Sequence, residues 1–260
     1  MTNSIAIINN KGGVGKTTCT AGLSIALSKK NYKILMIDTD PQGNLSRLFG
    51  FEPKNDMNKT LSKCLDRLLK KENPTSVLDY IEPTNNPNID ILIGDINLTA
   101  NRIEVERALS KFDFVYRKIL DEIKKSNKYD FVLFDTCPSL GAENSQILAA
   151  VSNIVIPSTT GKNSVEGIDQ LIDFYNNCQI VNPKLNLIGI LFNNVNINSM
   201  LGRDVIPMLR ESYGDYILNT VIVRSVIAEK MEWSGIDNTT NNKIYSAFTD
   251  AAEEVLNRLG

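Results

Sequence analysis

The sequence predicts a doubly wound α/β fold, a mostly parallel sheet with helices on both faces, and three observations carry that reading. Short, nearly continuous apolar runs recur along the chain, and runs without polar alternation belong to strands covered on both faces. Longer segments with helical spacing separate these runs, so strand and helix alternate. A glycine-rich stretch stands between the first run and the first helix, where sheets of this kind bind phosphate.

Taken in order, the expected strands are Ile5–Ile8, Ile34–Ile37, Ile89–Ile93, Phe131–Phe134, Ile154–Ile156 and Leu187–Phe192. The helices between them are expected at Lys16–Lys29, Asn97–Lys111, Phe114–Lys125 and Val165–Cys178. Phe51–Pro87, with Pro53, Pro74, Pro83 and Pro87, reads as a surface excursion carrying one short helix near Thr60–Lys71. A last helix runs from about Asn242 to Leu259. Its residues Ile244, Phe248, Ala251, Val255, Leu256 and Leu259 share one face, the pattern of a core-packing helix. The alternative, a membrane-targeting tail, meets Asp250, Glu253 and Glu254 on the polar side, the wrong sign for an anionic bilayer. With no Gly/Ser-rich linker and no internal repeat, residues 1–260 are expected to form one domain.

Composition narrows the chemistry. The chain has 260 residues and no histidine, which excludes Ser-His triads and histidine general bases. Cys19, Cys64, Cys137 and Cys178 share no CxxC spacing, so zinc sites are not expected and the free thiols fit a reducing cytoplasm. The net charge of −2 gives no overall attraction to nucleic acid or anionic membrane, and any such binding needs a local patch. The N-terminal residues carry no secretory-signal pattern, and no apolar run approaches the roughly 20 residues of a membrane span, so no stable membrane anchor is expected.

Residues 9–18 read Asn-Asn-Lys-Gly-Gly-Val-Gly-Lys-Thr-Thr. Phosphate oxygens must be approached closely by backbone N–H groups. Gly12, Gly13 and Gly15 are expected to supply a tight positive-φ path free of Cβ atoms. A helix starting near Lys16 would aim its positive end at the anion, with Val14 and Thr18 completing the cradle. Lys16 is the group to neutralise the β/γ charge of ATP, and Thr17 offers a hydroxyl to Mg²⁺. The strict GxxxxGK[ST] pattern is not met, since Asn10 stands at its first glycine.

Two aspartate-bearing segments complete the expected site. Phe131–Asp135 is an apolar strand ending in a carboxylate, and Asp135 is expected to hold Mg²⁺ through water. The strand Ile34–Ile37 runs into Asp38-Thr39-Asp40-Pro41-Gln42-Gly43-Asn44. Parallel sheets gather their sites at strand C-terminal ends, so Asp38, Asp40 and Asp135 can converge on the loop. With histidine absent, a carboxylate is a reasonable group to position water, and Asp40 is also a possible water-mediated metal ligand.

The segment Lys11–Thr18 resembles the deviant Walker A motif of the ParA/MinD superfamily of P-loop NTPases, marked by the extra lysine at Lys11. Ile37–Asn44 (IDTDPQGN) and Phe134–Gly141 (FDTCPSLG) are similar to the two switch segments of ParA/Soj-type partitioning ATPases. The resemblance continues through Ile154–Leu171, Gly189–Asn194 and Thr220–Ser225, and is weakest across Phe51–Pro87. It implies that Lys11 reaches a partner subunit's nucleotide, that Lys16 and Thr17 act in cis, and that Asp40 positions the attacking water. It further implies that Asn193, or Asn194, contacts adenine with help from Val223 and Arg224. The implied cycle is an ATP-bound homodimer that binds duplex DNA non-specifically and is released by a ParB-type centromere-binding partner. The protein would be cytoplasmic and nucleoid-associated, and the phosphate loop at residue 10 leads one to expect no N-terminal DNA-binding extension.

Three departures from the family pattern bear on this reading. Cys137 stands where the family usually has proline, which is expected to loosen the second switch. Val223 also replaces a usual proline. Residues 161–260, from which the family draws its DNA-binding cations, carry 8 Lys and Arg against 12 Asp and Glu, a balance of −4. Arg203, Arg210, Arg224, Lys230 and Lys243 remain the DNA-contact candidates, with ordinary solvated charges as the alternative. Two other functions share the loop. One is a MinD-like positioning factor acting on a membrane or other surface. The other is a nitrogenase-type iron protein, whose cluster cysteines could only be Cys137 and Cys64, the latter in a setting without glycines.

Overall fold

The computed structural model describes residues 2–52, 57–70, 76–161, 166–224, 236 and 238–259, and only the backbone of 200, 201 and 238–245. The expected sheet is present. Its eight strands are β1 (Asn3–Ile7), β2 (Ile34–Asp38), β3 (Ile81–Pro83), β4 (Ile89–Leu92), β5 (Phe131–Asp135), β6 (Asn153–Ser158), β7 (Asn186–Val195) and β8 (Ile217–Val223). They lie in the order β3-β4-β2-β5-β1-β6-β7-β8. All pairings are parallel except β3 with β4.

The apolar runs are continuous because each strand feeds two cores. Ile5, Ile7, Ile34, Met36, Phe131 and Leu133 point to one face, against α1 (Lys16–Lys29) and the last helix, α9 (Asn238–Leu259). The alternate residues Ala6, Leu35, Ile37, Val132 and Phe134 point to the other. That face is covered by α4 (Leu98–Ser110), α5 (Val115–Lys125), α6 (Ala142–Ala150) and α7 (Ile168–Val181). The last helix packs along α1 through Phe248, Ala251, Ala252 and Val255, as a core helix should.

The structure corrects the expected outline in several places. Phe51–Pro87 is more than a surface excursion: α3 (Leu61–Lys70) and a 3₁₀ turn at Val77–Tyr80 bury Leu61, Cys64, Leu65, Val77 and Tyr80 in the core, and β3 adds an edge strand. Prolines and polar residues around these positions masked their apolar side. The helix α8 (Met200–Tyr213) contains Gly202 and Pro207, two residues that argue against a helix in sequence. Ser199 caps it, accepting a hydrogen bond from the Gly202 N–H at 3.0 Å. The short α2 (Asn44–Leu48) follows the DPQG turn. No described helix is long and apolar enough to cross a membrane.

Candidate nucleotide site

Sheet register brings the expected residues together. Ile7, the last residue of β1, pairs with Asp135 on one side of β5, and Asp38 of β2 pairs with Asp135 on the other. The chain leaving β1 therefore loops over the two aspartates before α1 begins. Gly13 and Gly15 take left-handed φ values of 74° and 86°. Gly12 does not, so its value there is not conformational. At Gly15 a second constraint applies: an added Cβ would fall 1.9 Å from Asn193 Nδ2. The loop is braced from behind, because Asn9 donates to the Pro157 carbonyl at 2.8 Å and accepts from the Lys11 N–H at 2.9 Å. Asn10, at the missing glycine position, donates to Gln170 Oε1 of α7 at 3.2 Å.

Lys16 is buried, and its Nζ donates to the Lys11 carbonyl at 2.9 Å. Burial pulls its pKa down, while Asp135 and Asp40 oppose that shift. Among the described residues no carboxylate hydrogen-bonds this ammonium, and an arriving polyanion would meet a charge held by a neutral carbonyl alone.

Thr17 Oγ1 donates to Asp135 Oδ2 at 2.7 Å, so a hydroxyl and a carboxylate stand side by side under the loop. These are hard oxygen donors, the set that suits Mg²⁺ when substrate phosphates and waters complete its octahedron. Among the described residues no group of three or more acidic, cysteine or histidine side chains forms a metal cage. Burial and the neighbouring Asp38 raise the Asp135 pKa well above the carboxylate range, with Thr17 and Lys16 opposing. Thr20, one turn further along α1, supports the pair by hydrogen-bonding the Lys16 carbonyl at 3.0 Å and Asp135 Oδ1 at 3.5 Å. It was not among the expected site residues, although its i+3 spacing from Thr17 puts both on one helix face.

Asp38 departs from expectation. It does not turn to the loop. Its Oδ2 accepts from the N–H and Oγ of Ser46, at 2.9 and 2.7 Å, and its Oδ1 from the Asp40 N–H at 3.2 Å. Burial pushes its pKa up to about 6. Ser46 Oγ also accepts from the Gly94 N–H at 3.1 Å, tying the segment after β4 to α2 and, through Asp38, to the first switch, and nothing in the local sequence announced that link. Asp40 is half-buried, accepts from the Gln42 N–H at 3.0 Å, and contributes to the field on Lys16.

The remaining expected residues divide. Lys11 lies along the start of α7, with Cε and Nζ 2.9 and 3.1 Å from where a Cβ on Gly167 would be. Asn193 is buried and its Nδ2 donates to the Val14 carbonyl at 3.4 Å, whereas Asn194 is exposed with φ 56°. Val223 and Arg224 are exposed at the end of β8, and the Arg224 N–H donates to the Val195 carbonyl at 2.9 Å. Arg203 is exposed on α8, and Arg210 is half-buried, its guanidinium donating to the carbonyls of Leu218 and Asn219. Lys230 and the side chain of Lys243 lie outside the described residues. Cys64 and Cys137 are both buried. At the position where the family usually has proline, the Cys137 thiol lies 3.7 Å from Glu143 Oε2, and the Asn144 amide donates to the Cys137 carbonyl at 3.0 Å.

Comparison with known proteins gives the same picture. The family model described as an AAA domain matches residues 2–187. The chromosome-partitioning ATPase Soj of Treponema pallidum is 31% identical over 230 residues, covering 87% of this chain and 85% of that protein. The solved structure of the septum site-determining protein MinD of Pyrococcus horikoshii with Mg-ADP superposes with a TM-score of 0.74 at 25% identity, covering 98% and 96% of the two chains. Cobyrinic acid a,c-diamide synthase of Mycobacterium smegmatis with ADP and magnesium shares the fold, with a TM-score of 0.79 at 24% identity over 99% and 96%.

Proposed function

Because the chain belongs to the ParA/MinD superfamily, with ATP or ADP and Mg²⁺ as its ligands, we propose that it is a DNA-partitioning ATPase working as an ATP-bound homodimer. The observation that carries the hydrolytic reading is the Thr17–Asp135 pair at 2.7 Å beneath a loop with left-handed Gly13 and Gly15. Backbone N–H groups of Gly12–Thr18 surround the phosphates, and Lys16 leaves the Lys11 carbonyl for the β/γ oxygens. Mg²⁺, when bound, neutralises charge on the β- and γ-phosphates, and Thr17 and Asp135 are the residues that would hold it. Asp40 orients the attacking water, and its loss is expected to cost roughly two to four decades in stimulated rate. In this reading Asn193, which lies beside the loop at Gly15, contacts adenine with help from Val223 and Arg224. For Lys11 to serve a partner's nucleotide it must swing out from Gly167.

Partitioning itself is supported by the similarity to a chromosome-partitioning ATPase across most of both chains. In this reading the dimer holds non-specific duplex DNA in the cytoplasm, on the nucleoid, through Arg203, Arg224, Lys230 and Lys243, and a ParB-type protein triggers hydrolysis. The −4 balance of residues 161–260, with the likeness to MinD, favours a second reading: a positioning factor on another surface. An electrophoretic shift with duplex DNA in ATP, ADP and no nucleotide, across salt, separates the two. Binding confined to the ATP state and falling steeply with salt is the expected result. Equal binding in ATP and ADP at low salt would overturn partitioning and make liposome flotation the next experiment.

A further inference from the structure

The helices α4, α5 and α6 are joined by polar side chains as well as apolar ones. Gln146 of α6 donates to the carbonyls of Val105 and Asp113, at 3.1 and 3.0 Å, and accepts from the Val115 N–H at 2.8 Å. One turn earlier, Glu143 is buried in the first turn of α6, where the helix dipole favours a carboxylate. Its Oε1 accepts from the Tyr116 hydroxyl of α5 at 2.7 Å, and its Oε2 from Arg102 Nε of α4 at 3.1 Å. Two donors from two helices thus fix both carboxylate oxygens. The carboxylate of this pair is buried while the Arg102 side chain is 40% exposed, and a buried carboxylate costs stability unless it is held, so two donors on it serve best to specify one geometry.

That geometry bears on the second switch. Cys137 follows Asp135 by two residues, and its Sγ lies 3.7 Å from Glu143 Oε2 and 3.8 Å from Asn144 Oδ1. A thiol carries one proton and can serve one acceptor at a time. Asn144 closes the contact from the other side, donating to the carbonyls of Cys137 and Ser139. The network also reaches the reacting end through space, because Asp40 acts on both Arg102 and Cys137. We propose that Glu143 is a positioning residue for ATP hydrolysis: clamped by Arg102 and Tyr116, it holds the second switch, and with it Asp135, through the Cys137 thiol. This rests on the ATPase reading above.

Cys137→Ala cuts the link while leaving the ion pair in place, and Cys137→Ser restores a donor. Glu143→Gln keeps the shape of the side chain and removes its charge. Each full-length variant is checked for a wild-type thermal transition, and ATP hydrolysis is then followed by phosphate release, with kcat and KM separated. Misplacement by a fraction of an ångström is expected to lower kcat about tenfold in Cys137→Ala and Glu143→Gln with KM within about twofold, and Cys137→Ser should return to within about threefold of wild type. If Glu143→Gln does not fold, the cysteine pair decides. Wild-type kcat in Cys137→Ala, or a serine variant as impaired as the alanine one, overturns the positioning role and leaves the ATPase reading standing. A wild-type chain that binds ATP and Mg²⁺ but never turns over overturns both.

Discussion

Lys16 keeps a charged group in a place where burial works against charge, and its one hydrogen-bond partner among the described residues is the Lys11 carbonyl. Such a cation is held ready for an anion. Lys16→Ala is expected to weaken ATP binding by about 1.5–3 kcal/mol, roughly 10- to 150-fold in Kd by calorimetry. Unchanged affinity would remove Lys16 from the site. Asp38 stores a different cost. Its folded pKa of about 6 stands above the unfolded value, so between about pH 4 and 6 the native state binds more protons than the unfolded one. Its contribution to stability is therefore fullest below pH 4 and is lost as pH rises through 6, by at most about 3 kcal/mol. In protein free of metal and nucleotide, Asp38→Asn should flatten that decline in urea titrations from pH 4 to 7. An identical slope in the variant would assign the decline to other groups.

Among the elements, α1 does two things at once. Its first two turns carry Lys16, Thr17 and Thr20 to the loop, and its middle meets α9. The meeting is close at Gly22, where an added Cβ would lie 2.4–2.5 Å from ring carbons of Phe248. Gly22→Ala gains about 1 kcal/mol of helix propensity and loses about 1–3 kcal/mol to overpacking. A net loss is expected, seen as a Tm lower by up to about 2–8 °C. A double-mutant cycle with Phe248→Leu should show coupling between the two sites. Simple additivity would mean that α9 moves aside without strain. The helix expected near Thr60–Lys71 is present as α3, but its burial was not expected, and α8 was not expected at all. Helix α3 sinks Leu61, Cys64 and Leu65 into a core assembled from distant segments, and α8 carries Gly202 and Pro207, which obscure a helix whose cap, Ser199, is local.

Across the whole molecule, the position of Lys11 against α7 gives the proposed dimer a visible requirement, since a lysine lodged beside Gly167 cannot also reach a second subunit. Light scattering with a slowly hydrolysed ATP analogue should show wild type passing from monomer to dimer. Lys11→Ala should remain monomeric, or dimerise without turnover, with its ATP Kd changed less than about threefold. A Lys11→Ala protein that dimerises and hydrolyses like wild type would remove the trans role.

The chain's own order of residues determined the phosphate loop, the Walker-type strand at Phe131–Asp135 and most strands of the parallel sheet, because each is written in contiguous residues. Left-handed glycines, a helix start and a strand-end carboxylate need only neighbours a few positions away. Tertiary structure alone decided where the acidic groups point. Asp38 is turned toward Ser46, eight residues on, and Asp135 is met by Thr17 from 118 residues away. Glu143 is held by Arg102 from 41 residues away. No local pattern can announce such contacts, because they exist only once strand register and helix packing have fixed which side chains share a space too dry to leave a polar atom unpaired.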